Sequence, residues 1–509
     1  MAHEAFTMPP PSLGLDLVSP IDNMDPSYAL ELVNVFPGGT APITRKGYEE
    51  YVDLSAANTH VNTIADYNKA DGTSEMIVVS EGGTPKIFKV VGGVATDITG
   101  STPITPNFTN MQTQQFGSRL FMCNGEDTMQ VYDGSTVTDA TFTGVTLANL
   151  INVSSYRERL YFVEKDTLKF WYGDTQQVGD PGGTNPLNSF DLQYSMKRGG
   201  FLVFAGSYTN QTAQTSQDLF FAISSEGEVV FFSGTDPSDT NWGLVARYYI
   251  GKPLGYRAFI KVNNDVWILT QQGIVPVSAL FQVSTDQAAN VVSARVNPYL
   301  SQYVSLLKFS PRWHGIFWPE GRRVFVNIPS SESTTTMLVF SIDTGGWCVY
   351  ELFDNEDSIT LGIVDGAPFY GSYHGKVYHA ESGYTDKGNA ISFEGRTAFS
   401  FYNSRGNYKA FKDIRPLLRT RRGLTLSVGL DTDFQREVTV DTISTGAAIN
   451  TPWGSPWGSP WASSTEYIFN RFAIRGQGHS GAVRFGGSVN KAECQIYGFE
   501  IRFDRGGQV

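Results

Sequence analysis

The stretch EGEVVFFSGTDPSDTNWGLVARYYIGKPLGYRAFIKVNNDVWILTQQGIVPVS, Glu226–Ser278, decides how the rest of the chain is read. It is a succession of short apolar or aromatic runs, each closed by a turn-former. Val229–Phe232 stops at Ser233-Gly234, Leu244–Ile250 at Gly251, and Val266–Leu269 near Gly273. β-Branched and aromatic side chains in runs of this length suit a pleated, half-buried surface, and Gly, Pro, Asp and Asn end them. The stretch reads as antiparallel strands, and nothing in it looks like catalytic chemistry.

The same rhythm continues on both sides. Met76–Val79 and Ile87–Val91 flank Gly82-Gly83, with Val94–Ile98 following; Arg119–Cys123 turns at Asn124-Gly125 into Met129–Tyr132. Arg159–Val163 pairs with Leu168–Tyr172 after Tyr156, and Phe201–Ala205 and Asp218–Ile223 lead into Val229–Phe232. Tyr256–Lys261, Val266–Leu269 and Ile274–Val277 form another unit. So do Gly315–Trp318, Arg322–Ile328, Met337–Ile342 and Trp347–Glu351, and finally Ile359–Val364, Phe369–Ser372 and Lys376–His379. Units of about 30–50 residues, each of three or four strands, predict a β-propeller. One small twisted sheet cannot bury both faces, and stacking such sheets around an axis covers the faces and leaves short edges. The expectation is an all-β chain with a six- or seven-bladed β-propeller over 56–385.

Two segments break the rhythm. Gly173–Asn188 is a loop rich in Gly, Pro and Asp. Around 286–307, apolar residues at 292, 296, 300, 303, 304 and 307 follow a helical period, with Asn297-Pro298 suited to an N-cap and first helical position. Before the rhythm begins, residues 1–55 read as an irregular N-terminal arm. Pro9-Pro10-Pro11, Pro20, Pro26, Pro37 and Pro42 interrupt it, its one apolar run, Ala29–Phe36, reads as a strand or a short helix, and it lies over the fold, reaches a neighbour, or is disordered. Past Asp386 the runs lengthen and alternate: Arg396–Tyr402, Leu424–Leu430, Glu437–Asp441, Tyr467–Ile474, Gly481–Phe485 and Ala492–Phe503. These predict a C-terminal β-sandwich or jelly-roll-like domain over 386–509.

Composition narrows the function classes. The 509 residues carry 17% charged side chains and a formal net charge of −12, which argues against a general nucleic-acid binder. Cys123, Cys348 and Cys494 are odd in number and far apart, so neither a disulfide framework nor a zinc site is expected, and folding in a reducing compartment is. Met1–Phe6 lacks the pattern of a secretory signal and no apolar run is long enough for a membrane helix, so a soluble protein is expected.

The candidate sites are few. Gly476-Gln-Gly-His-Ser-Gly481 fits G-x-G-x-x-G but lies between two β runs, where a hairpin turn is the natural reading. His374 and His379 sit on one hairpin without a third ligand, and Asp354, Glu356 and Asp357 read as a solvated loop. Ser341-Ile-Asp343-Thr-Gly345-Gly-Trp347 approximates an Asp-box hairpin, one residue short. Lys409, Lys412, Arg415, Arg419, Arg421 and Arg422 form the one dense basic run, suited to a subunit contact, a wetted strand face or phosphate. Trp453, Trp457 and Trp461, spaced by Gly-Ser-Pro, are either core anchors or an exposed aromatic patch for a partner. No catalytic residue, metal ligand or cofactor site is nominated.

Several phrases in order resemble the propeller-bearing tail nozzle or tail hub (DNA-stabilisation) proteins of short-tailed bacteriophages. They are Ala29–Asn34, Thr44-Arg45-Lys46-Gly47, Gly227-Glu228-Val229-Val230, Gly234-Thr-Asp236-Pro237 with Trp242, and Ile250-Gly251-Lys-Pro253. Then come Gly273-Ile274-Val-Pro276-Val-Ser278, Asp343-Thr-Gly with Trp347-Cys348, and Tyr370-Gly371 with Gly375-Lys-Val-Tyr378. Asp386-Lys-Gly388-Asn-Ala-Ile391 and Lys412-Asp-Ile-Arg415-Pro416 complete the series. The resemblance implies a non-enzymatic virion protein of the tail, assembled in the bacterial host cytoplasm. It implies a homo-hexameric ring below the portal and head-to-tail adaptor that supports fibres or spikes. The ring retains genomic DNA and then conducts it through its lumen without sequence-specific binding. An acidic lumen would keep the passing DNA from adhering. The alternative is a carbohydrate-binding or sialidase-like propeller, which would need recurring Asp boxes and paired carboxylates. A WD-type scaffold is disfavoured because Gly-His…Trp-Asp repeats are absent.

Overall fold

A computed structural model describes residues 4–56, 59–179, 183, 185–211, 216–282, 291–331, 334–352, 357–421, 423–435, 441–444, 466–468 and 470–508. The chain is all-β in class, with short antiparallel strands throughout and little helix. Among the described residues no helix is long and apolar enough to cross a membrane.

Among the described residues, seven sets of three or four strands follow one another along the chain, six of them as separate sheets. The first contains His60–Asn68, Ser74–Glu81, Lys86–Val91 and Val94–Asp97, and the second Gln112–Phe116, Arg119–Cys123, Gln130–Tyr132 and Val137–Asp139. The third contains Leu150–Tyr156, Arg159–Glu164, Lys169–Tyr172 and Asn188–Asp191. Leu202–Gln211, Ser216–Ser224, Glu228–Ser233 and Gly243–Tyr249 form the fourth; Phe259–Val262, Asp265–Thr270 and Gly273–Pro276 form the fifth. The sixth set, His314–Trp318, Arg323–Pro329, Thr335–Ser341 and Trp347–Tyr350, belongs to a larger sheet. The seventh joins Ser358–Val364, Ala367–Ser372 and Lys376–Ala380 to Tyr48–Asp53 from near the start of the chain.

Each sheet buries both faces, and neighbours in the chain share an apolar layer. Tyr67 and Ile77 of the first sheet cluster with Leu120 and Tyr132 of the second; Phe121 and Val131 cluster with Val153 and Phe162 of the third. Tyr161 and Phe170 meet Phe220 and Trp242, and Phe221 and Phe231 meet Val266 and Ile268. Trp267 packs edge-on against Phe340 at 5.2 Å between the fifth and sixth, and Asn327 donates to the Ser358 carbonyl between the sixth and seventh. Val364, Phe369 and Val377 of the seventh then cluster with Val61, Met76 and Phe88 of the first. Layers of this kind supply most of the stability, about 1.5–3 kcal/mol for each fully buried large apolar side chain.

Phe142–Thr143 and Asn185–Pro186 make a further two-stranded parallel pair, and two larger sheets complete the described fold. The sixth set continues through Ala29–Val33 into Ile391–Thr397, Gly481–Val489, Leu424–Thr432 and Asp441–Ser444, making nine strands. Ala29–Val33 is the splice, parallel to Trp347–Tyr350 and antiparallel to Ile391–Thr397. The other sheet is built on the long pair Asn407–Thr420 and Cys494–Gln508, flanked by Glu4–Met8, Val35–Phe36, Ile43–Thr44, Glu466–Ile468 and Phe472–Gly478. Phe485 of the nine-stranded sheet stacks on Phe499 of the other at 5.2 Å, within the largest apolar cluster.

The described part of segment 1–55, expected as an irregular arm with one apolar run at Ala29–Phe36, lies over the fold as strands of three sheets, because its apolar residues find strand edges to pair with. Gly14 (φ +77°) is pressed so tightly against the turn before Trp347 that a Cβ would lie 2.5 Å from the Trp347 carbonyl oxygen. Where the N-terminal segment, the seventh sheet and the C-terminal strands meet, Arg45 makes a two-pronged ion pair with Asp386 at 2.8 and 2.5 Å, both side chains 2% exposed. Asn34 completes the centre: its Oδ1 accepts from Arg45 Nε and Glu351 N–H, and its Nδ2 donates to the carbonyls of Glu351 and Ser392.

A helix, Asn297–Leu307, buries Leu300 and Val304 and follows a 3-10 turn at Ala294–Val296; residues 283–290 lie outside the described residues. The N-cap is Val296, not Asn297 as expected. Asn297 is the first helical residue, and its amide is engaged elsewhere, with Ser293 Oγ and the Gln272 carbonyl. The three cysteines are free and buried, and burial pushes each thiol up, to about 12 for Cys494.

Candidate functional site

The run Leu254-Gly-Tyr-Arg257-Ala-Phe-Ile260 leads into the fifth sheet and holds a single charge. Arg257 is 9% exposed and reaches across to the first strands of other sheets. Its Nη1 donates to the Asn62 carbonyl at 2.9 Å and to Asn110 Oδ1 at 2.7 Å. Its Nη2 donates to Thr360 Oγ1 at 2.8 Å and lies 3.3 Å from His314 Nδ1. One guanidinium thus ties the fifth sheet to the first, sixth and seventh and to the segment entering the second.

The electrostatics here are unusual. Leu361 N–H also donates to His314 Nδ1, so that nitrogen is the unprotonated acceptor of the ring. Desolvation, reinforced by the Arg257 charge, holds the imidazole well below its ordinary range. Burial likewise lowers the guanidinium, to about 10, which leaves it cationic at neutral pH. Among the described residues no carboxylate forms an ion pair with Arg257.

Arg257 lines a pocket of about 590 Å³. Phe201, Val203, Leu254 and Trp313 supply apolar walls, with Tyr256 39% exposed beside them. At its margin Glu226 pairs with Lys252 at 2.7 Å, and the Lys308 ammonium sits 5.0 Å from the ring of Phe309, which is 87% exposed. A cavity of this size with apolar walls and one dry polar anchor has the general make-up of a small-molecule site. Sequence reasoning passed over Arg257, Asn110, His314 and Thr360, because long-range contacts bring them together; the signal available was one cation in an apolar run.

The basic run divides between structural and exposed positions. Along Asn407–Thr420 alternate side chains face opposite sides, so Lys409 is turned inward and donates to the carbonyls of Ser404, Asn407 and His479. Lys412 pairs with Asp504 and Arg415 with Glu500, while Arg471 and Arg502 hold Asp413. Arg419 and Arg421 are exposed and border one small recess with Glu493. Arg422, Trp453, Trp457 and Trp461 lie outside the described residues.

Gly476–Gly481 is not a hairpin turn: it is the end of Phe472–Gly478 and the short crossing to Gly481–Val489 in the other large sheet, held by Asp433, whose carboxylate accepts from His479 and Ser480 N–H. His379 stacks on Phe369 at 4.9 Å, and the described residues contain no group of three potential metal ligands. Asp343 pairs with Arg322 at an exposed hairpin end, and Trp347 is buried. Asp354 and Glu356 lie outside the described residues; Asp357 accepts from Thr335 N–H.

No family model and no curated protein matches the chain. Among solved structures, it is similar to a chain of the mitotic checkpoint complex, with 9% identity and TM-score 0.40 over 68% of this chain and 96% of that one. It is similar to PorZ, a bacterial surface component of the type-IX secretion system of Porphyromonas gingivalis, with 10% identity and TM-score 0.41 over 82% and 59%. A third is the extracellular domain of a hybrid two component system from B. thetaiotaomicron, with 11% identity and TM-score 0.41 over 67% and 40%. Likeness at this level carries no argument about what the chain does.

Proposed function

We propose that this chain is a structural tail protein of a short-tailed bacteriophage. In this reading it is a subunit of a homo-hexameric nozzle or hub ring below the portal and adaptor, retaining and then conducting DNA and carrying fibres or spikes. The seven small sheets are read as the blades of a propeller, supported by apolar layers that run from each sheet to the next and from the seventh back to the first.

The observation that carries the proposal is where the resembling phrases fall. They sit at joints of the framework. Arg45 of one phrase and Asp386 of another form the buried ion pair. Gly227 (φ +78°) packs so closely that a Cβ would be 2.3 Å from the Ile250 carbonyl oxygen, and Glu228 beside it is fully buried, accepting from Lys197 and Arg198 N–H and pairing with Arg247. Asp236 pairs with Arg159 between the third and fourth sheets, and Trp242 stacks on Phe232 at 5.4 Å. Residues committed to joints in this way suit a protein whose task is mechanical.

Native mass spectrometry and negative-stain electron microscopy of the purified chain test this. The expected result is a sixfold ring of six times 56.0 kDa. A protein that remains monomeric alone and with adaptor and portal, or that cleaves glycans, overturns it.

A further inference from the structure

We propose that the pocket beside Arg257 binds a small organic monocarboxylate, its charge on the Arg257 Nε–H and its apolar body against Phe201, Leu254 and Tyr256. Three observations lead there. First, Arg257 is more than nine-tenths buried and remains cationic, yet no carboxylate of the described residues pairs with it. A desolvated charge without a counter-charge is expensive, typically several kcal/mol, so an anion arriving there is favoured. Second, Nη1 and Nη2 are committed to Asn62, Asn110, Thr360 and His314, whereas Nε–H makes no hydrogen bond within the described residues. One donor is left, at a residue that lines the cavity.

Third, the surroundings select the ligand. About 590 Å³ is far more than an inorganic ion fills, and the walls are largely apolar side chains that a hydrated ion would gain nothing from touching. Of the other lining cations, Lys252 is neutralised by Glu226 and Lys308 sits over the exposed ring of Phe309, so Arg257 is the one buried charge and suits a single carboxylate. A phosphate dianion would bring a second charge and more acceptors than this donor set can satisfy. The neutral, accepting His314 is part of the same arrangement, because its Nδ1 helps orient the guanidinium. Occupancy would also stabilise the junction of the sheets that Arg257 joins, since a ligand that binds only the folded chain raises its stability.

The test is ligand-observed fluorine NMR on the full chain with 4-fluorobenzoate and its neutral isostere 4-fluorobenzamide. The benzoate should bind at least about tenfold more tightly than the amide, as a charge-assisted hydrogen bond requires. Arg257→Gln should abolish the preference. Because that variant also loses contacts between sheets, Gln271→Trp provides a second arm: it fills the pocket from a half-buried lining position and leaves all four Arg257 bonds in place. It should remove benzoate binding while circular dichroism stays native. Equal affinity for the amide, benzoate binding that survives Gln271→Trp, no binding of either probe at millimolar concentration, or saturable binding of chloride alone would each overturn the proposal.

Discussion

Arg45 and Asp386 are 341 positions apart in the chain and 2.5 Å apart at their nearest atoms, in a site with almost no contact with water. Their pairing fixes the lead-in to the seventh sheet against the segment that enters the C-terminal strands. Desolvation opposes ionisation of Arg45, and the hydrogen bonds and charge of Asp386 more than offset it, raising the guanidinium above its ordinary value.

Removing one member should therefore cost more than the pair contributes. Asp386→Ala or Arg45→Ala leaves a buried, uncompensated charge and is expected to destabilise by about 3–5 kcal/mol. The Arg45→Ala, Asp386→Ala double variant should lose less than the sum of the singles, read as a coupling in urea denaturation cycles.

The histidine beside Arg257 makes an acid-side prediction. His314 is held well below its ordinary value in the folded chain, and an unfolded histidine titrates near 6.5. Below that pH the unfolded chain binds a proton that the folded chain does not, so stability falls as pH falls. The slope from this residue has a ceiling of about 1.4 kcal/mol per pH unit below pH 6.5. His60 and His379, also lowered by burial, add to it. His314→Gln should flatten the profile by up to that amount in chemical denaturation at stepped pH.

Glu228 is the carboxylate on which the start of the fourth sheet is hung. Glu228→Gln presents an amide to the Lys197 and Arg198 N–H donors and weakens the tie to Arg247. A loss of about 1–3 kcal/mol is expected. Hydrogen exchange at the Lys197 and Arg198 amides should accelerate ahead of exchange in the sixth and seventh sheets.

The basic strand should separate into two behaviours. Lys409→Met strands three carbonyls in the interior and is expected to lower the melting temperature, at a cost of about 1–3 kcal/mol or more. Arg419→Ser with Arg421→Ser, on the exposed side, should change stability by no more than about 0.5 kcal/mol. Thermal melts of the two variants side by side check this.

Strand content was legible because it depends on local alternation. Val229–Phe232 and Arg159–Val163 each fall within observed strands, and Met337–Ile342 overruns the strand Thr335–Ser341 by one residue. What was lost locally was lost for identifiable reasons. The strand Leu150–Tyr156 ends in a two-residue turn at Arg157-Glu158, both left-handed (φ +44° and +58°), with no glycine to announce it. Residues 4–53 read as an irregular arm, Ala29–Phe36 apart, because their prolines are local, while most of their strands pair with edges supplied hundreds of residues later; Val35–Phe36 also pairs nearby with Ile43–Thr44. The Arg257 cluster was invisible for the same reason. The tryptophan repeat was legible as a motif, but its residues lie outside the described ones.

The strand Tyr48–Asp53 is synthesised more than 300 residues before Lys376–Ala380, the strand it pairs with. Until that partner leaves the ribosome, the early strand has an unsatisfied edge, and the seventh sheet lacks its outer member. Completion of that sheet is thus a late event, and a chain cut short anywhere before Lys376 would expose a sticky border that invites pairing between molecules.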